Sequence, residues 1–379
     1  MSGYGIPLAK VVTGMYEAEE VQRAIAAGQV SGTAPAVREF EARFSEQVAD
    51  NAFTIACSSG TMALELCLAA LDVHPGSMAV LAAEKREVVV PALAWRGCWD
   101  VVRRAGAVVR PWGPAAPPSP SVDGWNGTAD SLPEMDESPL AVMVVHIAGR
   151  RVSVRAVLDA LGAQGRHVPI IEDCAEALGL GGLTPHSKST FATWSFFANK
   201  AITTGEGGMV ATRDASLARR VRELRDHGMP REFTVSGIPG RNGRMSGLQA
   251  AFGIGQLRQL PVILRDRRVV ARFYVDEAKN AGLQSCFADH VMKGSSNVCW
   301  QQVAVFKDRE TRDRVLDALE VAGIEPRPFF PAYPGAAYVG GACAAQWAER
   351  AVLLPVYRGM TQGEVRRVVA TVANALHSG

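Results

Sequence analysis

Short apolar runs rich in β-branched residues alternate along the chain with segments whose apolar residues recur at helical spacing. The runs are "EVVVPALAW", "AGAVVRPW", "LAVMVVHIAG" and "VPIIEDCAEALG", and helical patterns such as "RGCWDVVRR" and "SVRAVLDALGAQG" lie between them. An order of strand, helix and strand is typical of a mostly parallel sheet with helices on both faces. The predicted fold class is therefore α/β.

The pattern changes near residue 245. A helix, a bend near Pro261 and a long second helix are followed by a strand candidate, "CWQQVAVF", and by two helical segments, "TRDRVLDALEVAG" and "TQGEVRRVVATVANALHSG". Because a single core seldom extends beyond roughly 250 to 300 residues, we predict a large domain over residues 1–260 and a smaller α/β C-terminal domain over residues 261–379. A stretch rich in Pro, Ser and Gly, residues 113–139, predicts a surface loop.

The composition narrows the possible functions. Arginine supplies 33 of the 40 basic residues, but no basic cluster is interleaved with aromatic residues, so we expect no nucleic-acid partner. No apolar run approaches the roughly 20 residues of a membrane span, and none near the start fits a signal peptide. We therefore expect a soluble, cytoplasmic protein without a membrane partner. The seven cysteines, an odd number without a C-x-x-C pair, fit neither a disulfide framework nor a zinc site, and we predict buried thiols at Cys57, Cys67, Cys98 and Cys174.

One of only seven lysines, Lys200, lies between the apolar stretch "TWSFF" and the glycine-rich turn "GEGG". An exposed lysine normally lies among other charged residues on a solvated helix face, so this position indicates a chemical role. A lysine amine can form a Schiff base with an aldehyde once it has lost its proton, and a mostly apolar site favours that loss.

Ligands of α/β sheets collect outside the carboxyl ends of the strands, so the residues that follow each strand matter most. The segment "ACSSGTMAL" has Ser59, Gly60 and Thr61 before a helix that we predict to begin near Met62. Free backbone N–H groups at a helix N-terminus can hold a phosphate. The simpler alternative is that Ser59 or Thr61 only caps the helix.

Two more strand ends carry suggestive side chains. Asp173 ends an apolar strand and could hold a protonated ring nitrogen, a metal ion or only a helix N-terminus, while Trp95 could lie on the pocket rim or in the core. Ser195 and Lys200 follow a fourth strand. One cofactor requires all four features, because it has a phosphate, an aldehyde, a ring nitrogen and a flat aromatic face. That cofactor is pyridoxal 5′-phosphate, and the residues predict no metal site.

These segments resemble the sugar aminotransferases of the DegT/DnrJ/EryC1/StrS family, which are pyridoxal phosphate enzymes with the type I aspartate aminotransferase fold. The resemblance extends from about residue 30 to residue 331, and its most specific segment is the lysine segment with its GEGG turn. The matching segments include "VSGTAPAVREFEARFSE", "SSGTMALELCLAAL", "SFFANKAITTGEGGMVAT", "RNGRMSGLQAAFGIGQL" and "GIEPRPFFP".

The resemblance implies a role for each candidate residue. Lys200 would form the internal aldimine and then move the proton between substrate carbon and cofactor, Asp173 would pair with the pyridine nitrogen, and Trp95 would stack on the ring. Asn242 matches an asparagine that reaches the phosphate of the neighbouring subunit, which implies a homodimer with shared active sites. The cofactor-binding set is completed by Ser59, Gly60, Thr61 and Ser195 at the phosphate and by Glu176, which stands where the family usually has Gln or His near the ring.

The chain departs from the family pattern mainly around the substrate. "SMAVLAAEKREVVVP" replaces the usual "GDEVIVP", a Pro-rich loop after Trp112 replaces an acidic strand end, and Gly243 and Gly247 stand where an aromatic residue and a glutamate are usual. Glu176 would bring negative charge close to the ring, and no cation maps beside it. We therefore predict an intact cofactor site and a divergent substrate pocket.

Lysine at position 200 argues against the family's dehydratases, which have histidine there. The resemblance implies a ping-pong transamination in which an amino acid, usually L-glutamate or L-glutamine, gives its amino group to a nucleotide-linked keto sugar. "GIEPRPFFP" is most similar to the branch that acts at C4 of GDP-linked or UDP-linked sugars. Two alternatives stay open: pyridoxal phosphate chemistry on a keto-cyclitol or another antibiotic precursor, and a binding or regulatory protein that has kept the fold without turnover.

Overall fold

The larger of two sheets has seven strands in the order β1-β7-β6-β5-β4-β2-β3. In the computed structural model, described for residues 3–77, 80, 86–118, 124–135, 137–180, 190–229, 239–290, 297–334 and 340–377, β7 alone runs against the other six. The predicted, mostly parallel sheet is therefore confirmed. The strands are β1 (Phe53–Cys57), β2 (Glu87–Pro91), β3 (Val108–Trp112), β4 (Ala141–Val145), β5 (Ile170–Asp173), β6 (Phe191–Ser195) and β7 (Gly208–Thr212).

Helices cover both faces of this sheet, as the alternation of strand and helix predicts. Because successive side chains of a strand point to opposite faces, Val88 and Val90 pack into one apolar cluster while Val89 packs into another. The same separation holds for Val210 and Met209. The helices are α1 (Met15–Ala26), α2 (Pro35–Gln47), α3 (Gly60–Ala70), α4 (Gly97–Arg104), α5 (Val154–Ala163), α6 (Ala215–Arg225) and α7 (Gly247–Leu257).

The smaller sheet has three antiparallel strands in the order β8-β10-β9. These are β8 (Gln302–Val305), β9 (Arg327–Pro328) and β10 (Ala351–Leu354), and they lie with α8 (Leu260–Asn280), α9 (Arg309–Val321), α10 (Gly341–Arg350) and α11 (Gln362–His377). Near the N-terminus, Ile6 pairs with Ile324 and packs among the C-terminal helices. The division at residues 260 and 261 remains a prediction.

The two sheets share part of their core. Trp300, Val303 and Leu353 of the smaller sheet region belong to the same apolar cluster as Val90 of the larger sheet. A cavity between the sheets can therefore be lined by residues from both. No helix in the described part of the chain is long and apolar enough to cross a membrane.

Two local predictions need correction. The helix α3 begins at Gly60, two residues before the predicted start. Ser59 caps this helix, because its hydroxyl accepts the Met62 N–H at 3.0 Å. Residues 113–139 are not wholly a surface loop, since Trp125 is buried and its indole N–H donates to the Ile147 carbonyl at 3.1 Å. Positions 119–123 and 136 of that predicted loop lie outside the described residues.

Candidate active site

A cavity of about 390 Å³ lies at the carboxyl ends of the parallel strands, between the larger sheet and the segment that contains β9. Eight of the nine predicted cofactor-binding residues line it: Ser59, Gly60, Thr61, Trp95, Asp173, Glu176, Ser195 and Lys200. A groove of about 490 Å³ between α2, β1 and α6 has none of them. We therefore take the first cavity as the candidate active site.

The turn between β1 and α3 forms one wall of the cavity. Ser59 uses its hydroxyl to cap the helix, so the first N–H groups of α3, at Gly60 and Thr61, point out of a helix N-terminus without intrahelical partners. A Cβ at position 60 would lie 2.7 Å from the Cβ of Ser195, and one at Gly208 would lie 2.3 Å from the Ser59 carbonyl oxygen. Glycine at position 60 lets the Ser195 strand end approach the helix N-terminus, and glycine at position 208 lets β7 approach the same turn.

Asp173 stands at the end of β5 with its carboxylate held in place. One oxygen accepts the Ala175 N–H at 2.9 Å, and the other accepts the Cys98 thiol at 3.4 Å. Burial and the neighbouring Asp173 carboxylate raise the pKa of Cys98 well above its usual range, so this thiol keeps its proton and remains a donor. The carboxylate is thus a fixed acceptor on the cavity wall.

The preceding residue, Glu172, is buried beside His146. The imidazole accepts the Val152 N–H at its Nδ1, 3.1 Å away, so its Nε2 carries the proton and donates to Glu172 at 3.1 Å. Neither Glu172 nor His146 lines the cavity. The carboxylate of Asp173 is therefore the one that this strand end presents to a ligand.

Lys200 and Glu176 form an ion pair inside the cavity. The Lys200 Nζ lies 3.4 Å from Glu176 Oε1, and Glu176 Oε2 accepts the Ala148 N–H at 2.8 Å. Burial raises the pKa of Glu176, and the charge of Lys200 and the Ala148 N–H oppose that shift. The sequence-based expectation that no cation lies beside Glu176 is wrong, because the lysine itself is that cation.

Trp95 and Asn242 lie farther from the cavity interior. Trp95 is 60% exposed at the rim of the cavity, and Phe197, another lining residue, is also exposed. Asn242 is exposed and does not line the cavity, although the carbonyl of the next residue, Gly243, accepts the Ser58 N–H at 2.8 Å. The fold of one chain therefore brings together every predicted site residue except Asn242.

Several cavity residues were not predicted as site residues. They are Cys98, Trp300, Arg327, Phe329 and Phe330. From the sequence alone, Cys98 is assigned to the core, and the segments "CWQQVAVF" and "GIEPRPFFP" that contain the other four residues are given no role in the site. Most of them come from the smaller sheet region, so their contribution depends on how the two sheets pack.

Comparison with known proteins identifies the family of this chain. The DegT/DnrJ/EryC1/StrS aminotransferase family matches residues 13–373. The GDP-perosamine synthase of Caulobacter vibrioides is 32% identical over 362 residues, which are 92% of each chain. The aminotransferase TlmJ from Streptoalloteichus hindustanus superposes with a TM-score of 0.81 at 26% identity over 99% of both chains. The putative sugar aminotransferase Spr1654 from Streptococcus pneumoniae, in its PMP-form, superposes with a TM-score of 0.85 at 21% identity, covering 99% of this chain and 98% of its own.

These similarities confirm the predicted fold, that of pyridoxal phosphate-dependent sugar aminotransferases, in which a mostly parallel sheet is joined by a smaller α/β part. They also confirm the predicted enzyme class and cofactor, since aminotransferases of this kind depend on pyridoxal 5′-phosphate. The chain belongs to the DegT/DnrJ/EryC1/StrS aminotransferase family.

Proposed function

We propose that the cavity binds pyridoxal 5′-phosphate through Lys200 and that the enzyme transfers an amino group from L-glutamate or L-glutamine to a nucleotide-linked keto sugar by a ping-pong mechanism. The observation that carries the proposal is the convergence of Lys200, Asp173 and the Ser59–Thr61 turn in one cavity. Its volume of about 390 Å³ lies within the range of small-molecule and cofactor sites. The nucleotide-linked acceptor is supported by the similarity to GDP-perosamine synthase.

The residues of the cavity fit the cofactor group by group. The free N–H groups of Gly60 and Thr61 and the hydroxyl of Ser195 suit a phosphate, and the glycine at position 60 keeps that space open. The carboxylate of Asp173 suits a protonated ring nitrogen. It is held in place by two uncharged donors, the Ala175 N–H and the Cys98 thiol, so its negative charge can pair with the ring. Trp95 at the rim offers a flat face to the ring.

Bound pyridoxal phosphate supplies an electron-withdrawing ring that stabilises negative charge on the carbon next to the transferred nitrogen. Lys200 would hold the cofactor through its Nζ in the resting enzyme and, when its amine is free, would move the proton to or from that carbon. Asp173 would keep the ring nitrogen protonated by offering it a fixed negative partner.

The walls of the cavity add substrate binding and exclude water. The lining includes three buried apolar residues, Ile147, Phe329 and Phe330. An apolar wall that keeps water out strengthens each electrostatic interaction inside the cavity. After Lys200, Arg327 is the second basic residue of the described lining, and its Nη2 lies 3.5 Å from Glu325 Oε1. The guanidinium of Arg327 could bind the carboxylate of the amino donor or the diphosphate of the acceptor.

We further propose that the enzyme works as a homodimer in which Asn242 reaches the phosphate of the neighbouring site. The exposure of Asn242 in a single chain supports this. Asn242→Ala should weaken pyridoxal phosphate binding about ten- to a hundredfold, since a hydrogen bond to a charged group contributes about 1.5 to 3 kcal/mol. Equilibrium dialysis of the purified variant would measure the change.

Mixed dimers test whether the site is shared. When Lys200→Ala is on one chain and Asn242→Ala on the other, a shared site leaves one intact active site, so half of the cofactor should bind with wild-type affinity. The control has both substitutions on one chain paired with a wild-type chain, and here sharing leaves no intact site. The reverse result, with the intact site appearing in the control, would show that Asn242 acts within its own chain.

The test of the function itself is an absorbance spectrum of the protein with pyridoxal phosphate, before and after L-glutamate or L-glutamine is added without any ketone. Loss of the visible band and appearance of the pyridoxamine spectrum would establish the donor half-reaction. A visible band that no amino donor changes would contradict transamination and favour a non-transaminating protein with the same fold. Once the donor is known, single-turnover assays with GDP-linked and UDP-linked 4-keto sugars and with a keto-cyclitol would separate the acceptor classes.

A further inference from the structure

The indole of Trp300 lies against the amine of Lys200, although Lys200 follows β6 of the larger sheet and Trp300 precedes β8 of the smaller one. The Lys200 Nζ is 4.3 Å from the centroid of the Trp300 ring, and Glu176 Oε1 lies 3.4 Å from the same nitrogen. Trp300 is 4% exposed, so the contact is largely removed from water. A cation over a desolvated tryptophan face is a favourable pair, and it is stronger there than at an exposed site.

The tryptophan is held in this position by three other contacts. Its Nε1–H donates to the carbonyl of Asn199, the residue before the lysine, at 3.0 Å. Its ring stacks on Phe330 with centroids 6.2 Å apart. Its backbone carbonyl accepts from the buried guanidinium of Arg267, which also donates to the Cys299 carbonyl at 3.3 Å. The ring therefore has a fixed orientation toward the amine.

We propose that Trp300 and Glu176 form the resting place of the Lys200 amine whenever it is not attached to the cofactor. The proposal rests on the function proposed above. On attachment to an aldehyde, the ammonium gives up two hydrogens, which leave with the aldehyde oxygen as water, and its charge spreads into the conjugated ring. The free ammonium keeps three N–H donors and the full charge, so the carboxylate and the indole face stabilise the free form more than the attached form.

This difference sets how the enzyme divides between its two cofactor states. In the pyridoxal phosphate state Lys200 would be drawn out of its resting place, whereas in the pyridoxamine phosphate state it would stay there. Removal of the indole face should therefore lower the ratio of the Kd for pyridoxal phosphate to the Kd for pyridoxamine phosphate. Trp300 is a positioning residue in this scheme, because it acts on the reaction through Lys200.

The experiment measures both Kd values with apoenzyme of the wild type, Trp300→Met and Trp300→Phe. We expect Trp300→Met to lower the ratio about fivefold, which corresponds to about 1 kcal/mol of lost cation–π interaction. Trp300→Phe keeps an aromatic face but loses the N–H donated to Asn199, so its ratio should stay closer to the wild-type value. An unchanged ratio in Trp300→Met would overturn the proposal.

A matched control is Trp347→Met. Trp347 is also buried and also donates its indole N–H to a backbone carbonyl, that of Ala116 at 3.1 Å, but it does not line the cavity. Loss of packing should change both Kd values of this variant together and leave their ratio unchanged. An equal fall of the ratio in Trp347→Met would refute a specific effect of Trp300.

Should Trp300→Met fail to fold, Glu176→Gln tests the other half of the resting place, and it removes no side-chain volume from the core. Its ratio should fall in the same direction, and a ratio equal to that of the wild type would contradict the proposal. Failure of the proposed function would look different, because the wild type itself would then give either no visible band with pyridoxal phosphate or a visible band that no amino donor changes.

Discussion

Replacing Lys200 by alanine is expected to abolish the visible absorbance band of the protein with pyridoxal phosphate and to lower the transamination rate by about 10⁴-fold or more. Lys200 is the only lysine among the described residues that line the cavity, so no second amine can take over attachment or proton transfer. Absorbance spectra and single-turnover rates with the amino donor would measure both losses. Binding of pyridoxal phosphate itself should persist, because the phosphate and ring contacts do not involve the amine.

Two controls separate the role of the amine from general effects. Lys279→Ala removes an exposed lysine at the end of α8 and should leave the spectrum unchanged. Lys200→Arg keeps a positive charge beside Glu176 and Trp300 but has no amine that can attach to the cofactor, so it should lose the band as Lys200→Ala does. A Lys200→Ala protein that still transaminates at a wild-type rate would refute the site.

Replacing Asp173 by asparagine is expected to lower kcat by about 10²- to 10³-fold, which is the usual cost of losing one preorganised electrostatic partner of the reacting group. Asparagine has nearly the same shape and can still accept the Ala175 N–H, so the loss reports on the negative charge. Without that charge the ring nitrogen loses its proton more readily and the ring withdraws electrons less well. Rates of the donor half-reaction and the Kd for pyridoxal phosphate would both be measured, and the Kd should also rise.

The neighbouring Glu172 offers a matched control on the same strand. It is a buried carboxylate that accepts from His146 and does not line the cavity. Glutamine at this position can still accept that hydrogen bond, so Glu172→Gln should keep kcat within about threefold of the wild type while lowering the free energy of unfolding by about 1 kcal/mol. Equal losses of kcat in Glu172→Gln and Asp173→Asn would mean that the negative charge of Asp173 has no special role.

Much of the fold could be predicted because its signals are local. A run such as "LAVMVV" is apolar on both faces only if helices cover both sides of its strand, and β4 is indeed buried along its whole length. Likewise, Pro261 separates α7 from α8 because proline is tolerated in the first turn of a helix and seldom inside one. The strand β7 was not predicted, and β1 was assumed only as a strand end before Ser59. Their segments "FTIAC" and "GMVAT" are short and mixed, and pairing with each other over a long sequence separation decides their structure.

The candidate site likewise has a part that could be predicted from the sequence and a part that could not. Ser59, Asp173 and Lys200 could be named in advance because each lies at or shortly after the end of a strand, and the ends of parallel strands meet at one edge of the sheet. The partners of these groups could not be named. The Cys98 thiol on Asp173 and the Glu176 carboxylate on Lys200 depend on side-chain directions that emerge only after the helices and strands have packed.

The sequence by itself determined which cofactor this protein was expected to bind, because one lysine, one carboxylate and one helix N-terminus at strand ends together match pyridoxal 5′-phosphate. The tertiary structure alone decided which side chains surround that chemistry. Trp300 lies a hundred residues beyond Lys200 and reaches it only because the smaller sheet packs against the edge of the larger one. Local residue preferences cannot encode such a contact, since it depends on the summed packing of two apolar surfaces, whereas a strand end or a helix cap depends on a few neighbouring residues.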